Sequence, residues 1–148
     1  MVTSALAMSL ILAAGCGSSR TYNATDVQRA FDTAGIRLTV LLDPQEAFTN
    51  AADDRFDVFA RHAAKVLGRF DEGTKDMSVF VYPSATGARI YERQTTRTMD
   101  MIRAQPDRYK NIEVPDTGIT RSGNVVVVWD KSKPDLSRRV TMGTAELH

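Results

Sequence analysis

The chain has 148 residues, of which 43% are hydrophobic and 25% are charged, and its formal net charge is +1. These proportions are ordinary for a folded globular domain and exclude disorder over the whole chain. The nearly neutral charge argues against nucleic-acid binding, which usually needs a marked basic excess. The single cysteine excludes a disulfide within the chain, so the fold must depend on packing.

The first segment, Met1–Gly15, contains no charged residue and includes the apolar stretch Ala5–Ala14. A helix needs about 20 residues to cross a hydrocarbon core about 30 Å thick, so this stretch is too short to span a bilayer. Its length is typical of the hydrophobic region of a signal peptide. Cys16 follows, and the next residues, Gly17–Ser19, have the composition of a flexible tether.

The sequence Leu12-Ala13-Ala14-Gly15-Cys16 resembles the bacterial lipobox. The resemblance implies a diacylglyceryl group on the Cys16 thiol, cleavage before Cys16, and acylation of the freed amino group. Two acyl chains anchor a protein stably to a bilayer, whereas one gives only marginal binding. We therefore expect a signal peptide over residues 1–15, a lipidated cysteine and tether over 16–22, and an extracytoplasmic domain over 23–148. The alternative is a buried free cysteine after an apolar helix.

The first helix of the domain is predicted to begin with a capping box formed by Thr25 and Gln28. Gly35 is predicted to end it in the left-handed conformation. Alternating apolar residues over Ile36–Leu42 then predict a strand with one buried face. Asp43-Pro44 marks a turn, and residues 45–54 are predicted to be mostly loop. The apolar residues on one face of the helix are Val27, Ala30, Phe31 and Ala34.

Two structures fit the segment Phe56–Phe70. Apolar residues at a spacing of 3.6 predict a helix, whereas the alternation of Phe56, Val58 and Ala60 predicts a strand. The helix is the preferred interpretation. The carboxylates around its start lack the spacing and the central glycine of a calcium loop, so we interpret them as acidic residues at a helix N-terminus. They are Asp53, Asp54 and Asp57.

The second half of the chain alternates between strands and helices. The predicted elements are a polar turn over Asp71–Asp76, a strand over Met77–Tyr82, a helix from Ser84 to Gln105, a short edge strand over Asn111–Val114, a central strand over Asn124–Trp129, and a terminal helix spaced by Leu136, Val140, Gly143 and Leu147. The inner stripe of the long helix is Ala88, Tyr91, Thr95, Met99 and Ile102. The long helix and the two strands that flank it resemble a crossover unit with both strands in one sheet. The sequence thus predicts a single α+β domain with a sheet of three to five strands packed with helices.

No motif in the sequence points to catalysis, to a metal or to a cofactor. His62 is the one internal histidine, and no further ligand lies at metal-binding spacing from it. The sequence has no nucleophile elbow and no glycine-rich phosphate loop. We interpret His62 as an exposed or edge residue, and we expect no catalytic residue and no cofactor.

Arg89, Arg93 and Arg97 recur every four residues on the predicted long helix, with Glu92 beside them. This spacing places three guanidinium groups on one side of the helix. They form a candidate site for an anionic surface, such as lipid headgroups or wall polymers near the anchor. The alternative is a solvated helix face on which the arginine stems cover apolar neighbours.

The domain is also similar in pattern to small lipoproteins of actinobacterial type with no known activity. The motifs that carry this resemblance lie at Val27–Ile36 and at Asn124–Val128. Together these features predict a membrane-anchored extracytoplasmic lipoprotein that binds a protein, a wall polymer or a small ligand without catalysis. The alternative is a small hydrolase of the cell envelope whose site residues are scattered along the sequence.

Overall fold

A computed structural model describes residues 20–41, 62–110 and 116–147. These residues form one small α+β domain, in which an antiparallel sheet of five strands has the order β1-β2-β3-β5-β4. The predicted fold class is therefore confirmed. The helices are α1 (Ala24–Thr33), α2 (Ala85–Ala104) and α3 (Pro134–Ala145), and the strands are β1 (Thr39–Val40), β2 (Lys65–Asp71), β3 (Thr74–Val81), β4 (Thr117–Ser122) and β5 (Val125–Asp130).

The N-cap of helix α1 lies two residues earlier than predicted, at Asn23 and not at Thr25. Its capping box joins Asn23 and Asp26, since the Asn23 side chain accepts from the Asp26 N–H and the Asp26 carboxylate accepts from the Asn23 N–H. The predicted pair of Thr25 and Gln28 is wrong, because the Gln28 amide donates instead to the carbonyl of Leu38. An asparagine with an acidic residue three positions later satisfies the same orphan N–H groups.

The end of α1 follows the prediction. Gly35 has a φ of +74°, its N–H donates to the Asp32 carbonyl, and the Ile36 N–H donates to the Phe31 carbonyl. These two bonds form a Schellman motif, which favours glycine at the left-handed position. The segment that follows alternates as predicted, with Ile36 and Leu38 buried, although the strand ladder covers only Thr39–Val40.

The helix preferred over Phe56–Phe70 is wrong where the structure describes that segment. Residues 65–71 form β2, which pairs with β3 along its whole length in an antiparallel ladder that shifts register between Arg69 and Phe70. The helical pattern needed Phe70 on a buried face, yet Phe70 is 51% exposed, whereas Val66 and Leu67 are buried on opposite faces of the sheet. Residues 56–61 lie outside the described residues, as do Leu42, the turn at Asp43-Pro44, the segment 45–54, the carboxylates of 53–57 and the edge strand predicted at 111–114.

The polar turn after β2 is a two-residue hairpin at Glu72 and Gly73. Their φ values are +50° and +78°, the conformation of a type I′ turn. Strand β3 follows and contains most of the predicted strand Met77–Tyr82. Ser84 then caps α2 by accepting from the Gly87 N–H, and the helix ends at Gln105 as predicted.

The predicted crossover was assigned to the wrong pair of strands. β3 and β5 do share one sheet, but they are antiparallel neighbours. β4, which was not predicted, pairs antiparallel with the whole length of β5. It is therefore parallel to β3, and the crossover through α2 joins β3 to β4. β4 has the sequence TGITRS, which carries no apolar run. Gly118 in this strand lies under the Trp129 ring, where an added Cβ would come within 2.3 Å.

The sheet buries a separate core on each face. α1 and α3 cover one face, where Leu67, Val79 and Val127 are the central strand residues. α2 covers the other face, and Ala88 packs there with Phe80, Tyr82 and Val126. β5 contributes to both cores, which confirms the central strand predicted at Asn124–Trp129. The predicted inner stripe of α2 is buried at Ala88, Thr95, Met99 and Ile102, and Tyr91 packs on the α2-side core. Helix α3 buries the predicted Leu136, Val140 and Gly143, whereas Leu147 is buried beyond its end.

Close packing of α1 on α3 depends on Gly143. A Cβ added there would lie 2.6 Å from Cδ1 of Phe31, whose side chain is fully buried. Overpacking a core costs about 1–3 kcal/mol, which exceeds the gain of about 1 kcal/mol that alanine brings over glycine in a helix.

We therefore expect Gly143→Ala to lower the free energy of unfolding by up to about 2 kcal/mol in urea denaturation. Thr141→Ala, on the exposed side of the same helix, is the control and should stay within about 0.5 kcal/mol of wild type. A Gly143→Ala protein as stable as the control would contradict this packing.

Candidate functional site

The described residues begin at Arg20, inside the segment 16–22 that was predicted to be the lipidated cysteine and tether. Cys16 and Gly17–Ser19 lie outside the described residues. The backbone of Tyr22 is held by Asn124: its N–H donates to Asn124 Oδ1 at 2.6 Å, and its carbonyl accepts from Asn124 Nδ2 at 3.0 Å. The first residues of the domain are thus fixed to the turn between β4 and β5.

A short path of contacts leads from this point to α2. Gly123, in the same turn, has a φ of +55°, and an added Cβ would lie 2.2 Å from the Arg20 carbonyl oxygen. The carbonyl of Gly123 accepts from Arg121 Nη1 at 3.0 Å. Arg121 Nε in turn donates to the Glu92 carboxylate on α2 at 2.9 Å. The chain therefore enters the domain at the β4–β5 turn, where Tyr22 packs on the core of α1 and α3 and Arg121 leads to Glu92 on α2.

The three arginines singled out in the sequence lie together on the exposed side of α2. Arg89, Arg93 and Arg97 are all exposed. Among the residues that the structure describes, none of the three has a carboxylate within the 4.0 Å of an ion pair. Glu92, which the sequence placed beside them, pairs with Arg121 instead. These three arginines thus form a cationic stripe on the surface.

Two large apolar residues, which the sequence reasoning missed, share this side of α2. Ile90 is 48% exposed and Met101 is 41% exposed. Position 90 precedes Arg93 and Arg97 by three and seven residues, and Met101 follows Arg97 by four, so these residues share one helix face. We call Arg89, Ile90, Arg93, Arg97 and Met101 the outer face of α2. Its apolar members could have been found from the same helical spacing.

His62 is exposed and stacks on an aromatic pair. Its ring centroid lies 5.1 Å from that of Tyr91, which lies 4.8 Å from that of Tyr82. Tyr82 is buried, and this burial, with a smaller contribution from Tyr91, raises the pKa of its hydroxyl above the usual 10.0. The ring of His62 thus continues the α2-side core to the surface.

A charged cluster lies at the opposite end of the β2–β3 hairpin from His62, and the sequence analysis did not identify it. Asp76 is buried, and its Oδ2 accepts from Arg69 at 2.7 Å and from Lys133 at 3.1 Å. Lys133 also donates to Asp71 at 3.1 Å. Hydrogen bonds to Asp71 and Asp76 raise the pKa of the Lys133 amine. Both ion pairs of Asp76 use Oδ2, while its Oδ1 is buried and has no hydrogen-bond partner among the described residues. The ion pairs tie the hairpin to the loop that begins α3.

A cavity of about 390 Å³ opens beside the N-terminal segment. Its walls carry both signs of charge, since Arg20 and Arg29 face it together with Asp26 and Glu146. Such walls do not select strongly for the charge of a ligand. Within the described ranges, no group of three His, Cys, Asp or Glu side chains is arranged to hold a metal ion, and no helix is long and apolar enough to cross a membrane.

Comparisons with protein-family models, with curated proteins and with solved structures found no match to this chain. The lipobox at Cys16 and the lipoprotein-like pattern of the domain therefore stay predictions from the sequence. The motif residues of that pattern, Val27, Phe31 and Val125–Val127, form part of the buried cores.

We expect Asp76→Asn to lower the free energy of unfolding by about 2 kcal/mol. Removing one partner of a buried ion pair costs about 3–5 kcal/mol, and the partial exposure of Arg69 and Lys133 reduces that cost. The matched control is Asp71→Asn in the same cluster. Because Asp71 is 44% exposed, its replacement should cost less than about 1 kcal/mol in the same urea titration. Equal losses in the two variants would contradict the central place of Asp76.

Because the pKa of Tyr82 is raised, the free energy of unfolding should fall at alkaline pH. A group whose pKa is raised in the folded state stabilises the fold below its unfolded pKa, and that contribution is lost as pH rises above this value. For Tyr82 the loss begins near pH 10.0, and the raised pKa of Lys133 adds a loss of the same sign.

We therefore expect Tyr82→Phe to flatten the decline in urea midpoint between pH 9 and pH 11, a range that brackets the reference tyrosine pKa of about 10. Tyr109→Phe, outside the two cores, is the control and should keep the decline of wild type. A Tyr82→Phe protein with an unchanged decline would refute the assignment to Tyr82.

Proposed function

We propose that the protein is an extracytoplasmic lipoprotein, held on a membrane by acyl chains on Cys16, whose folded domain binds a partner without catalysis. The observation that carries the anchor is the order of features in the sequence: an uncharged apolar stretch over Ala5–Ala14, then small residues, then Cys16. Arg20 follows Cys16 by four residues and contacts the β4–β5 turn. A lipid on Cys16 would therefore hold the folded domain close to the bilayer.

Binding is favoured over hydrolysis because the charged and aromatic groups that could serve a hydrolase are engaged in contacts within the fold. The charged residues at the end of the sheet are ion-paired with each other, and Asp76 pairs with both Arg69 and Lys133. His62 is stacked on Tyr91. By contrast, the outer face of α2 presents cationic and apolar side chains to solvent. An exposed surface that combines both kinds of side chain is typical of binding.

The proposal makes a direct prediction about Cys16. In a bacterial host, metabolic labelling with a fatty-acid probe should label the wild-type chain and leave Cys16→Ala unlabelled. The variant should also leave the membrane fraction, because two acyl chains are needed for stable anchoring.

Gly17→Ala is the matched control, since it changes the neighbouring residue and keeps the thiol. It should retain both the label and the membrane fraction. Label on Cys16→Ala, or wild-type protein without label, would overturn the proposal.

A further inference from the structure

We infer that the outer face of α2 rests on the anionic headgroups of the membrane into which the Cys16 lipid inserts. The inference depends on the proposed anchor and adds an orientation of the domain and a second contact with the bilayer. The occupant of the face is an anionic phospholipid surface. Three observations support it: the charges of the face, its apolar residues and its position relative to the tether.

The charges of α2 differ from those of the other two helices. Arg29 on α1 lies 3.9 Å from Asp26, and on α3 Asp135 pairs with both Arg138 and Arg139. Arg89, Arg93 and Arg97 have no such pair among the described residues. The acidic residues of α2 are Glu92, which pairs with Arg121, and Asp100, which lies 3.8 Å from Arg103. The unpaired positive charge of the helices is therefore concentrated on α2.

The apolar residues of the face suit a lipid interface better than they suit water. Ile90 follows Arg89 and Met101 follows Arg97, and the two apolar residues lie eleven residues or about 16 Å apart along the helix. A helix that lies in the interface places apolar side chains at the boundary with the acyl chains and basic side chains among the headgroups. Arginine side chains are long enough to reach phosphates while their stems lie against the apolar residues.

The tether limits how far the domain can lie from the bilayer. Four residue steps separate Cys16 from Arg20, and a fully extended chain covers at most about 14 Å over that length. Arg20 lies against Gly123, which is joined through Arg121 to Glu92 on α2. Glu92 lies between Arg89 and Arg93 in the helix. An anchor on Cys16 therefore brings this part of α2 within reach of the headgroups, together with the ends of α1 and α3 that also lie beside Arg20. The unpaired charges of α2 select its face among these surfaces.

The arginines should act together. One basic residue near an anionic membrane contributes roughly a fivefold factor to association, so three contribute about a hundredfold at low salt. Screening weakens this factor, because the Debye length falls from about 8 Å at 0.15 M salt to about 3 Å at 1 M. The docked orientation should thus depend on both salt and lipid charge, whereas the acyl anchor should not.

The test uses the full lipoprotein, purified from membranes and reconstituted in vesicles of phosphatidylcholine with or without 30% phosphatidylglycerol. Cys16 is the single cysteine and is acylated, so one introduced cysteine gives a unique labelling site. Gln94→Cys places a fluorophore on the exposed side of α2, and Met142→Cys places it on α3 as the matched control. A nitroxide on the lipid headgroups reports proximity through quenching.

We expect quenching at position 94 to exceed quenching at position 142 severalfold on anionic vesicles, and the excess to disappear in 1 M salt or on neutral vesicles. The variant Arg89→Gln, Arg93→Gln, Arg97→Gln should lose the excess. The control variant Arg29→Gln, Arg37→Gln, Arg138→Gln changes the net charge equally and should keep it.

Flotation of the vesicles distinguishes a failure of the lipid anchor from a failure of the docking of α2. Protein that floats with the vesicles but shows equal quenching at both positions would overturn the inference and leave the anchor in place. Protein that does not float would overturn the anchor and the inference with it. Protection of position 94 by a soluble anionic wall polymer, without excess quenching on anionic vesicles, would overturn the lipid surface in favour of the polymer.

Discussion

The side chain of Asn124 is the point on which the arrangement of the fold depends. It is buried, and its three hydrogen bonds hold the N–H and carbonyl of Tyr22 and the carbonyl of Tyr82. The Asn124 carbonyl also accepts from the Tyr82 N–H. One amide thus joins the entry of the chain, the end of β3 and the start of β5. Burying this group is favourable because each of its polar atoms has a partner.

Two consequences follow from this junction. Tyr82 leads directly through Pro83 to the cap of α2, so the junction fixes where that helix begins. Tyr22 fixes where the tether leaves the domain, next to Gly123 and the Arg121–Glu92 pair. The same amide therefore sets both the start of the cationic helix and the point at which a lipid on Cys16 would hold it. The proposed docking of α2 depends on this coincidence.

The elements predicted correctly are those whose apolar pattern lies within one short stretch of the sequence. β5 carries its own apolar run, and the stripe of α2 repeats over about four turns, so both were found. β2 was missed because a helical spacing over Phe56–Phe70 arises by chance, while its pairing with β3 depends on distant residues. β4 was missed because its sequence, TGITRS, has no apolar run. The side chain that covers this strand at Gly118 is Trp129, which belongs to β5. The ion pair of Asp76 and Lys133 joins residues 57 positions apart, and no local pattern indicates such a contact.

Amide hydrogen exchange at Tyr22 tests the junction most directly. If Asn124 holds the entry of the chain, the Tyr22 N–H should exchange as slowly as the ladder amides of β5, because opening it requires breaking the junction. In Asn124→Ala, the Tyr22 amide should exchange much faster while the β2–β3 hairpin keeps its relative protection. A Tyr22 amide that exchanges in the wild-type protein at the rate of an unstructured peptide would contradict the account.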